Sequence, residues 1–301
     1  MSMENKRDLI GYGRNRPKVP WPNHAKIAIN FVINYEEGAE LTPYNHDASA
    51  EIYGGEFPLS TRPDGIRNYS MESLFEYGSR AGLWRLLKLF DEAQLPLTFF
   101  ITGFALTLNP EFSAYLRESD HEIAGHGWRW IDYALVGREF EKKHIQQTIK
   151  TLKQLTGKNP QGWYTGRRSE YTRELLIENG TFLYDSDSYA DDYPYFIDKQ
   201  LIIPYSLICN DFRFGTSPGY SSPEDFYNQL ISTFNFLYQE NQNGLMSIGL
   251  HPRFSGHPGR CYALLRFIEF IQKYNDIWIT RRIDIAHHWR AAMPNSSPDI
   301  V

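Results

Sequence analysis

The sequence predicts a single-domain α/β protein in which parallel strands and helices form a distorted (β/α) barrel. Short apolar runs alternate with amphipathic stretches about six or seven times along the chain, as strands alternate with helices around a parallel sheet. Polar residues also follow the ends of the predicted strands, at the edge where barrels build their functional sites. A doubly wound sheet gathers ligands at the corresponding edge, so the second observation favours the barrel and leaves that alternative open.

The predicted elements follow one another in a regular order. Residues 26–34 form an apolar run rich in β-branched side chains, which indicates a buried strand. The helix that follows, over residues 79–93, has apolar side chains at helical spacing. Asn109 and Pro110 have the residue types of a helix cap and first turn. Further strands are predicted at residues 96–102, 121–126, 161–166, 201–207, 245–251 and 276–280, and further helices at residues 138–157, 172–180, 222–239 and 263–274.

We expect one domain over residues 1–301, with a barrel core over about residues 26–290 and an N-terminal arm over residues 1–25. A long irregular insert, residues 40–79, follows the first predicted strand. Loops of this length inside a compact domain are usually lids or interface segments. The insert is therefore expected over the functional cleft or at a subunit contact.

The composition restricts the classes of protein to consider. Hydrophobic residues make up 42% of the chain, which is enough for a large core. The 31 basic and 36 acidic residues are mixed along the chain, so no basic block predicts a nucleic-acid partner. Two distant cysteines provide neither a disulfide framework nor a cysteine zinc cluster. No phosphate-binding loop, dinucleotide fingerprint or GxSxG elbow is present.

The distribution of apolar residues predicts the cellular location of the protein. The N-terminal stretch has no apolar run like that of a signal peptide, and no run reaches about 18 apolar residues. We therefore expect a cytoplasmic protein that has no membrane partner.

Two adjacent carboxylates, Glu36 and Glu37, stand in the segment NYEEG directly after the first predicted strand. Adjacent side chains at a strand end point in different directions. One carboxylate can therefore act as a base while the other binds a metal or hydrogen-bonds a substrate. A solvated turn is an equally weighted alternative.

Two histidines, His126 and His251, end predicted strands and are candidates for a general acid, a general base or a ligand. His121 lies five positions before His126 and faces the opposite way on a strand, so the two are poor joint ligands. A lone histidine is more often structural, and a glycine-proline loop that caps a helix is the alternative for the segment LHPRFSGHPGR. Arg253 and Arg260 in this segment are plausible clamps for a carbonyl group or an anion. We favour a functional role for His251 and leave the arginines open between that role and a structural one.

The segment YDSDSYADDYPY contains four aspartates, among them Asp185 and Asp187. Their spacing does not fit a calcium loop, which needs a closing glutamate. Carboxylates that orient a histidine or bind polar substrate groups fit the pattern better. A hydrated loop is an equal alternative for Asp191 and Asp192.

Five segments, in this order, resemble motifs of the polysaccharide deacetylase superfamily: NYEEG, HGWRW, WYTGR, YDSDSYADD and LHPR. The resemblance covers roughly residues 27–289 and implies a barrel of the polysaccharide deacetylase type. It places a base at Glu36 and metal ligands at Glu37, His126 and the position of Trp130. An indole N–H only donates hydrogen bonds, and the two remaining ligands are one short of a usual catalytic zinc site. No metal is therefore expected at this degenerate site.

Longer strings resemble the cofactor-independent allantoinases of this superfamily, which open the hydantoin ring of allantoin to allantoate in purine catabolism. They are RDLIGYG, NYEEGAE, GSRAGLWRLL, AGHGWRWIDY, GWYTGR, YDSDSYADD, NDFRFG and RRIDIAHHW. The resemblance implies a tryptophan at the metal position, no cofactor and a cytosolic homotetramer. Ile208 and His257 depart from the pattern, so a related amide or ureide is an alternative small-molecule substrate.

Hydrolysis of a neutral cyclic amide needs a base, a carbonyl polariser and an acid for the leaving nitrogen. Together with the resemblance, this chemistry assigns Glu36 as the base and His251 as the acid or polariser. The candidate substrate-binding residues are Glu37, His126, Trp130, Arg167 and Asp185.

Two other functions stay open. A polysaccharide or peptidoglycan N-deacetylase of the same superfamily would depend on zinc or another divalent metal. A homologue that binds a ligand without catalysis would have kept the barrel and lost the ligand set, although the presence of Glu36, His126 and His251 together speaks modestly against it.

Overall fold

A computed structural model describes residues 7–57 and 61–293 of the chain. The strands in this part belong to one sheet. In chain order they are β1 (Ile27–Tyr35), β2 (Leu97–Ile101), β3 (Glu122–Gly125), β4 (Gly162–Trp163), β5 (Tyr184–Asp185), β6 (Tyr195–Ile197), β7 (Gln200–Ile202), β8 (Gly244–Leu250) and β9 (Ile277–Ile279).

The α-helices in the described ranges alternate with most of these strands. They are α1 (Tyr69–Tyr77), α2 (Leu83–Ala93), α3 (Gly103–Thr107), α4 (Pro110–Glu118), α5 (Arg138–Thr156), α6 (Thr172–Asn179), α7 (Pro223–Glu240), α8 (Pro252–Ser255), α9 (Pro258–Ile271) and α10 (Arg282–Ala292). Within the same ranges, none of these helices has the length and apolar character needed to cross a bilayer.

The sheet is curled, so that its two ends approach each other. The strand order is β6-β7-β5-β4-β3-β2-β1-β8, and β9 pairs with the first half of β1. All described pairings are parallel except that between β6 and β7. The segment after β7 reaches β8, where the Gly249 N–H donates to the Cys209 carbonyl at 2.9 Å. The predicted distorted (β/α) barrel is confirmed.

Strand β1 lies at the centre of this arrangement, and all nine of its residues are buried. It pairs with β8 from Ile27 opposite Gly244 to Ile33 opposite Leu250. Along its other edge it pairs with β9 and then with β2. The apolar run over residues 26–34 predicts this strand because a strand that is paired on both edges and covered on both faces exposes no side chain.

The insert over residues 40–79 is more regular than predicted. Its last part forms α1, whose first turn is capped by the Asn68 side chain. A π-helical turn, Gly78–Gly82, joins α1 to α2, so the helical segment begins well before the predicted residue 79. Glycines in this turn conceal the helical pattern, and they are present because α8 packs directly on them. A Cβ on Gly82 would lie 2.0 Å from the Pro252 carbonyl oxygen.

The chain also contains elements that the sequence analysis did not predict. The short helices α3 and α8 follow strands directly, and α10 lies beyond the last predicted strand. The N-terminal arm packs against α10, because the buried Trp21 ring lies 5.6 Å from that of Trp289. The Trp21 Nε1–H also donates to the Gly244 carbonyl at the start of β8.

Candidate active site

Parallel pairing brings three predicted residues together at the carboxyl edge of the sheet. Glu36 follows β1, His126 follows β3 and His251 follows β8. His126 Nε2 is hydrogen-bonded to Glu36 Oε1 at 2.9 Å, and His251 Nε2 lies 3.6 Å from the same oxygen. None of the three is more than 4% exposed. They therefore form a compact, buried cluster in which a proton would have only a short distance to travel between neighbouring side chains.

The second nitrogen of each histidine ring is held by an oxygen acceptor. His126 Nδ1 is hydrogen-bonded to the Tyr164 carbonyl, and His251 Nδ1 to Asp211 Oδ1 at 2.7 Å. The Asp211 Oδ2 atom accepts from the backbone N–H groups of His251 and Ser255. These bonds fix both rings with Nε2 directed at the Glu36 carboxylate. An acceptor on one ring nitrogen sets the tautomer and the orientation of a histidine in this way.

Arg253 brings a positive charge to the other oxygen of Glu36. Its side chain is fully buried, and its Nη2 lies 2.8 Å from Glu36 Oε2. Its Nη1 lies 3.8 Å from Glu37 Oε1. Glu36 is therefore surrounded by two imidazoles and a guanidinium.

The surrounding charges shift the pKa values of Glu36 and His251 in opposite directions. Burial alone would raise the pKa of Glu36, but the charges of Arg253 and His251 and the bond to His126 hold it well below its usual value of 4.5. Burial alone would lower the pKa of His251, yet the Glu36 and Asp211 carboxylates raise it above its usual value of 6.5. The carboxylate thus stays ionised and the imidazole favours the protonated form. Opposite displacements of this kind allow two neighbouring groups to serve as a base and an acid.

Glu37 points away from the histidines, as predicted for adjacent side chains. Its Oε2 accepts from the Glu36 backbone N–H at 2.8 Å. Burial raises its pKa to about 7, against the opposing charge of Arg253. Burial likewise raises the pKa of the nearby Glu40 to about 8. Both carboxyl groups therefore hold protons far more readily than Glu36 does.

Trp130 forms an aromatic wall beside this cluster. The Arg167 guanidinium lies 3.8 Å from the Trp130 ring centre, and the Arg253 guanidinium lies 5.2 Å from it. The Tyr53 ring, which belongs to the insert, is stacked over Trp130 at 6.5 Å. Glu51, also in the insert, is ion-paired with Arg167 at 3.2 Å. The insert therefore packs against Trp130 and Arg167, and its location over a functional cleft stays a prediction.

Asp185 is placed differently from the other predicted site residues. Its Oδ2 accepts from Arg173 Nε at 2.8 Å, and its Oδ1 accepts from the Asp187 backbone N–H. Asp187 in turn accepts from the backbone N–H groups of Thr165 and Gly166. Asp185 therefore supports the loop that leads to Arg167, and its described polar contacts are with groups other than the Glu36 cluster.

The residues do not fit a metal ion of the kind that the superfamily motif implies. Glu37 is turned toward backbone and Arg253, and Trp130 offers only a donor N–H. A guanidinium already lies beside Glu36, where a second cation would be repelled. No group of three or more potential ligand residues with metal-binding geometry is found in the described ranges.

The sequence analysis missed one residue of the cluster, Asp211, and left the role of another, Arg253, open. Asp211 lies outside every predicted strand, and only the pairing of Asn210 with Gly249 of β8 brings it beneath His251. Arg253 stands two residues after His251 in the segment LHPR. Its position after a strand end allowed either a clamp for a carbonyl group or an anion, or a structural role in the loop, and the sequence alone did not decide between them.

Comparisons of the sequence identify related proteins. Residues 68–180 match the family described as polysaccharide deacetylase. A Schizosaccharomyces pombe protein, named as a candidate polysaccharide deacetylase, is 38% identical over 97% of this chain and 99% of its own length. The peptidoglycan deacetylase of Helicobacter pylori is 27% identical over 76% of this chain and 87% of its own length.

Solved structures show the same architecture. A candidate polysaccharide deacetylase from Pseudomonas aeruginosa PAO1 has a TM-score of 0.94 and 45% identity, covering 96% of this chain and 99% of its own. The crystal structure of Puue allantoinase has a TM-score of 0.93 and 45% identity, with the same coverage of both chains.

Proposed function

This chain belongs to the polysaccharide deacetylase family, and from that premise we propose that it is a metal-independent hydrolase of cyclic amides, acting as an allantoinase. The broader activity, hydrolysis of carbon–nitrogen bonds other than peptide bonds, follows the chemistry of the family. The similarity to Puue allantoinase over 96% of the chain supports the narrower substrate.

The observation that carries the proposal is the pairing of Glu36 with His251. The two groups lie 3.6 Å apart and have pKa values displaced in opposite directions. An ionised carboxylate beside a protonated imidazole supplies a base and an acid without a metal-bound water. Arg253 lies beside Glu36 and near the Trp130 ring, and neither of these side chains is an ordinary metal ligand.

In the proposed reaction, Glu36 takes a proton from a water molecule while the water oxygen bonds to the ring carbonyl carbon. The C–N bond then breaks, and His251 gives its proton to the leaving nitrogen. The products are a carboxylic acid and a free ureido N–H, so the ring opens with the net addition of one water. Each proton transfer of this kind contributes on the order of 10²- to 10⁴-fold in rate.

The remaining predicted residues have roles in binding. Trp130 and Arg167, whose guanidinium lies over the indole ring, are proposed to bind the hydantoin ring together, with the guanidinium orienting its polar groups. Glu37 is proposed to accept ring or ureido N–H groups. His126, which already contacts Glu36, is proposed to orient both that carboxylate and the substrate. Asp185 is proposed to act through the loop that it supports.

The test of the proposed substrate is a parallel assay. Chelator-treated protein is incubated with allantoin and, separately, with an N-acetylated oligosaccharide, each with and without added zinc. We expect allantoate from the first substrate without zinc and no acetate from the second. Acetate release that zinc restores would instead assign the protein as a metal-dependent deacetylase, and no turnover of either substrate would favour a ligand-binding homologue.

A further inference from the structure

Arg253 is buried in a way that the proposed acid and base do not explain. Its side chain is 0% exposed, although its Nη2 approaches Glu36 Oε2 to 2.8 Å. The two atoms form an ion pair, but their orientation does not make a hydrogen bond. The Nε, Nη1 and Nη2 atoms therefore have no hydrogen-bond acceptor among the described residues. Buried polar groups without a partner cost free energy. A fully buried guanidinium with free N–H groups therefore requires a functional reason.

Unpaired polar atoms concentrate around this side chain. In the described ranges, the buried side chains with an unpartnered nitrogen or oxygen are Asn34, Glu36, Glu37, Glu40, Arg253, Ser255 and Trp289. All of these except Trp289 lie at the end of β1, in the turn that follows it or on α8. The cluster is thus polar, buried and incompletely paired, as expected where a polar ligand completes the hydrogen bonds.

The guanidinium is also held rigidly. It lies 4.3 Å from the Phe75 ring centre and 5.1 Å from that of Phe254. Its helix, α8, is fixed against the π-helical turn by the close approach of Gly82 to Gly256. A cation fixed before the substrate arrives needs little reorganisation when negative charge develops beside it.

We infer that Arg253 is a catalytic residue of the proposed reaction, donating its free N–H groups to the carbonyl oxygen of the scissile amide as that oxygen becomes negative. This inference rests on the proposed function. The planar guanidinium can place two N–H groups on one oxygen-bearing group, and its fixed charge balances Glu36 at the same time.

The kinetic test compares Arg253→Gln, Arg253→Lys and Arg260→Gln. Arg260 is a matched control, because it also lies over an aromatic ring, Phe214, at 3.9 Å and pairs with a carboxylate, Glu56, at 2.6 Å. We expect Arg253→Gln to lower kcat for allantoin on the order of 10²- to 10³-fold, with a much smaller change in KM. The kcat of Arg253→Lys should lie between those of the wild type and Arg253→Gln, because lysine retains the positive charge but lacks the planar set of N–H donors.

Arg260→Gln should retain the kcat of the wild type. Wild-type kcat in Arg253→Gln, or a loss that appears in KM alone, would overturn the inference while leaving the proposed function intact.

A second measurement does not depend on activity. Thermal unfolding midpoints are compared for the wild type, Arg253→Gln, Glu36→Gln and the double variant. If Arg253 is the countercharge of Glu36, removal of both should lower the midpoint by less than the sum of the two single losses. Additive losses would overturn the inference. If the wild type hydrolyses no cyclic amide, the proposed function fails, and this cycle still decides whether Arg253 is the cation of the site.

Discussion

At the scale of single residues, Asp211 decides how His251 can act. Its carboxylate accepts from His251 Nδ1 at 2.7 Å and from the backbone N–H groups of His251, which precedes α8, and Ser255, the last residue of α8. One carboxylate therefore fixes both the ring and the turn that carries it. Its negative charge, together with that of Glu36, raises the pKa of His251. The acid stays protonated to a higher pH than a free histidine would.

Replacement of this carboxylate gives a direct prediction. In Asp211→Asn, the pKa of His251 falls, because the charge beside its ring is gone. Loss of the protonated acid then begins at a lower pH, so the basic limb of kcat/KM for allantoin should move to lower pH. We also expect kcat to fall on the order of 10²- to 10⁴-fold, since the ring loses its anchor.

The control for this variant is Asp64→Asn, in an exposed part of the insert, which should keep both the rate and the profile. An unchanged basic limb in Asp211→Asn would show that His251 does not act as the acid.

At the scale of secondary-structure elements, the contact between α8 and the π-helical turn, Gly78–Gly82, positions the proposed catalytic groups. A Cβ on Gly78 would lie 2.4 Å from Glu37 Oε1, and one on Gly82 would lie 2.0 Å from the Pro252 carbonyl oxygen. Only glycine permits α8 to approach so closely. The helix then carries Arg253 into the cluster, and His251 caps its first turn.

Gly82→Ala should therefore separate the two elements. We expect a loss of about 1–3 kcal/mol in the free energy of unfolding, the usual cost of overpacking, and a fall in kcat because α8 shifts. Denaturant unfolding and allantoin turnover measure the two effects.

Gly137→Ala is the matched control, because a Cβ there would have no neighbour within 4 Å and its φ of −77° suits alanine. A Gly82→Ala protein as stable and active as this control would contradict the proposed role of the contact.

The same elements show what the sequence could predict. Helices α4 and α7 begin where their capping residues predict, since Asn109 and Ser222 accept hydrogen bonds from their own first turns. Caps are local signals. The continuous helical segment of α1 and α2 was not predicted in full. Its glycines are required by the close contact with α8, which is distant in the sequence. Local patterns cannot report such a contact.

At the scale of the whole molecule, parallel pairing assembles the site. Glu36, His126 and His251 were predicted because each follows a strand, and strands of one parallel sheet end at one edge. Asp211 was missed and the role of Arg253 was left open, because their positions depend on how the segment after β7 and the turn after β8 close around that edge. The homotetramer and the cytoplasmic location stay predictions.

The most direct test of this account is the pH dependence of kcat/KM for allantoin in protein whose metal content has been removed and measured. The account predicts full activity without metal and a broad plateau. Activity should fall when the pH drops through the pKa of Glu36, well below 4.5, and when it rises through that of His251, above 6.5. Activity that returns only in proportion to added zinc, or full activity in Glu36→Gln, would contradict the account.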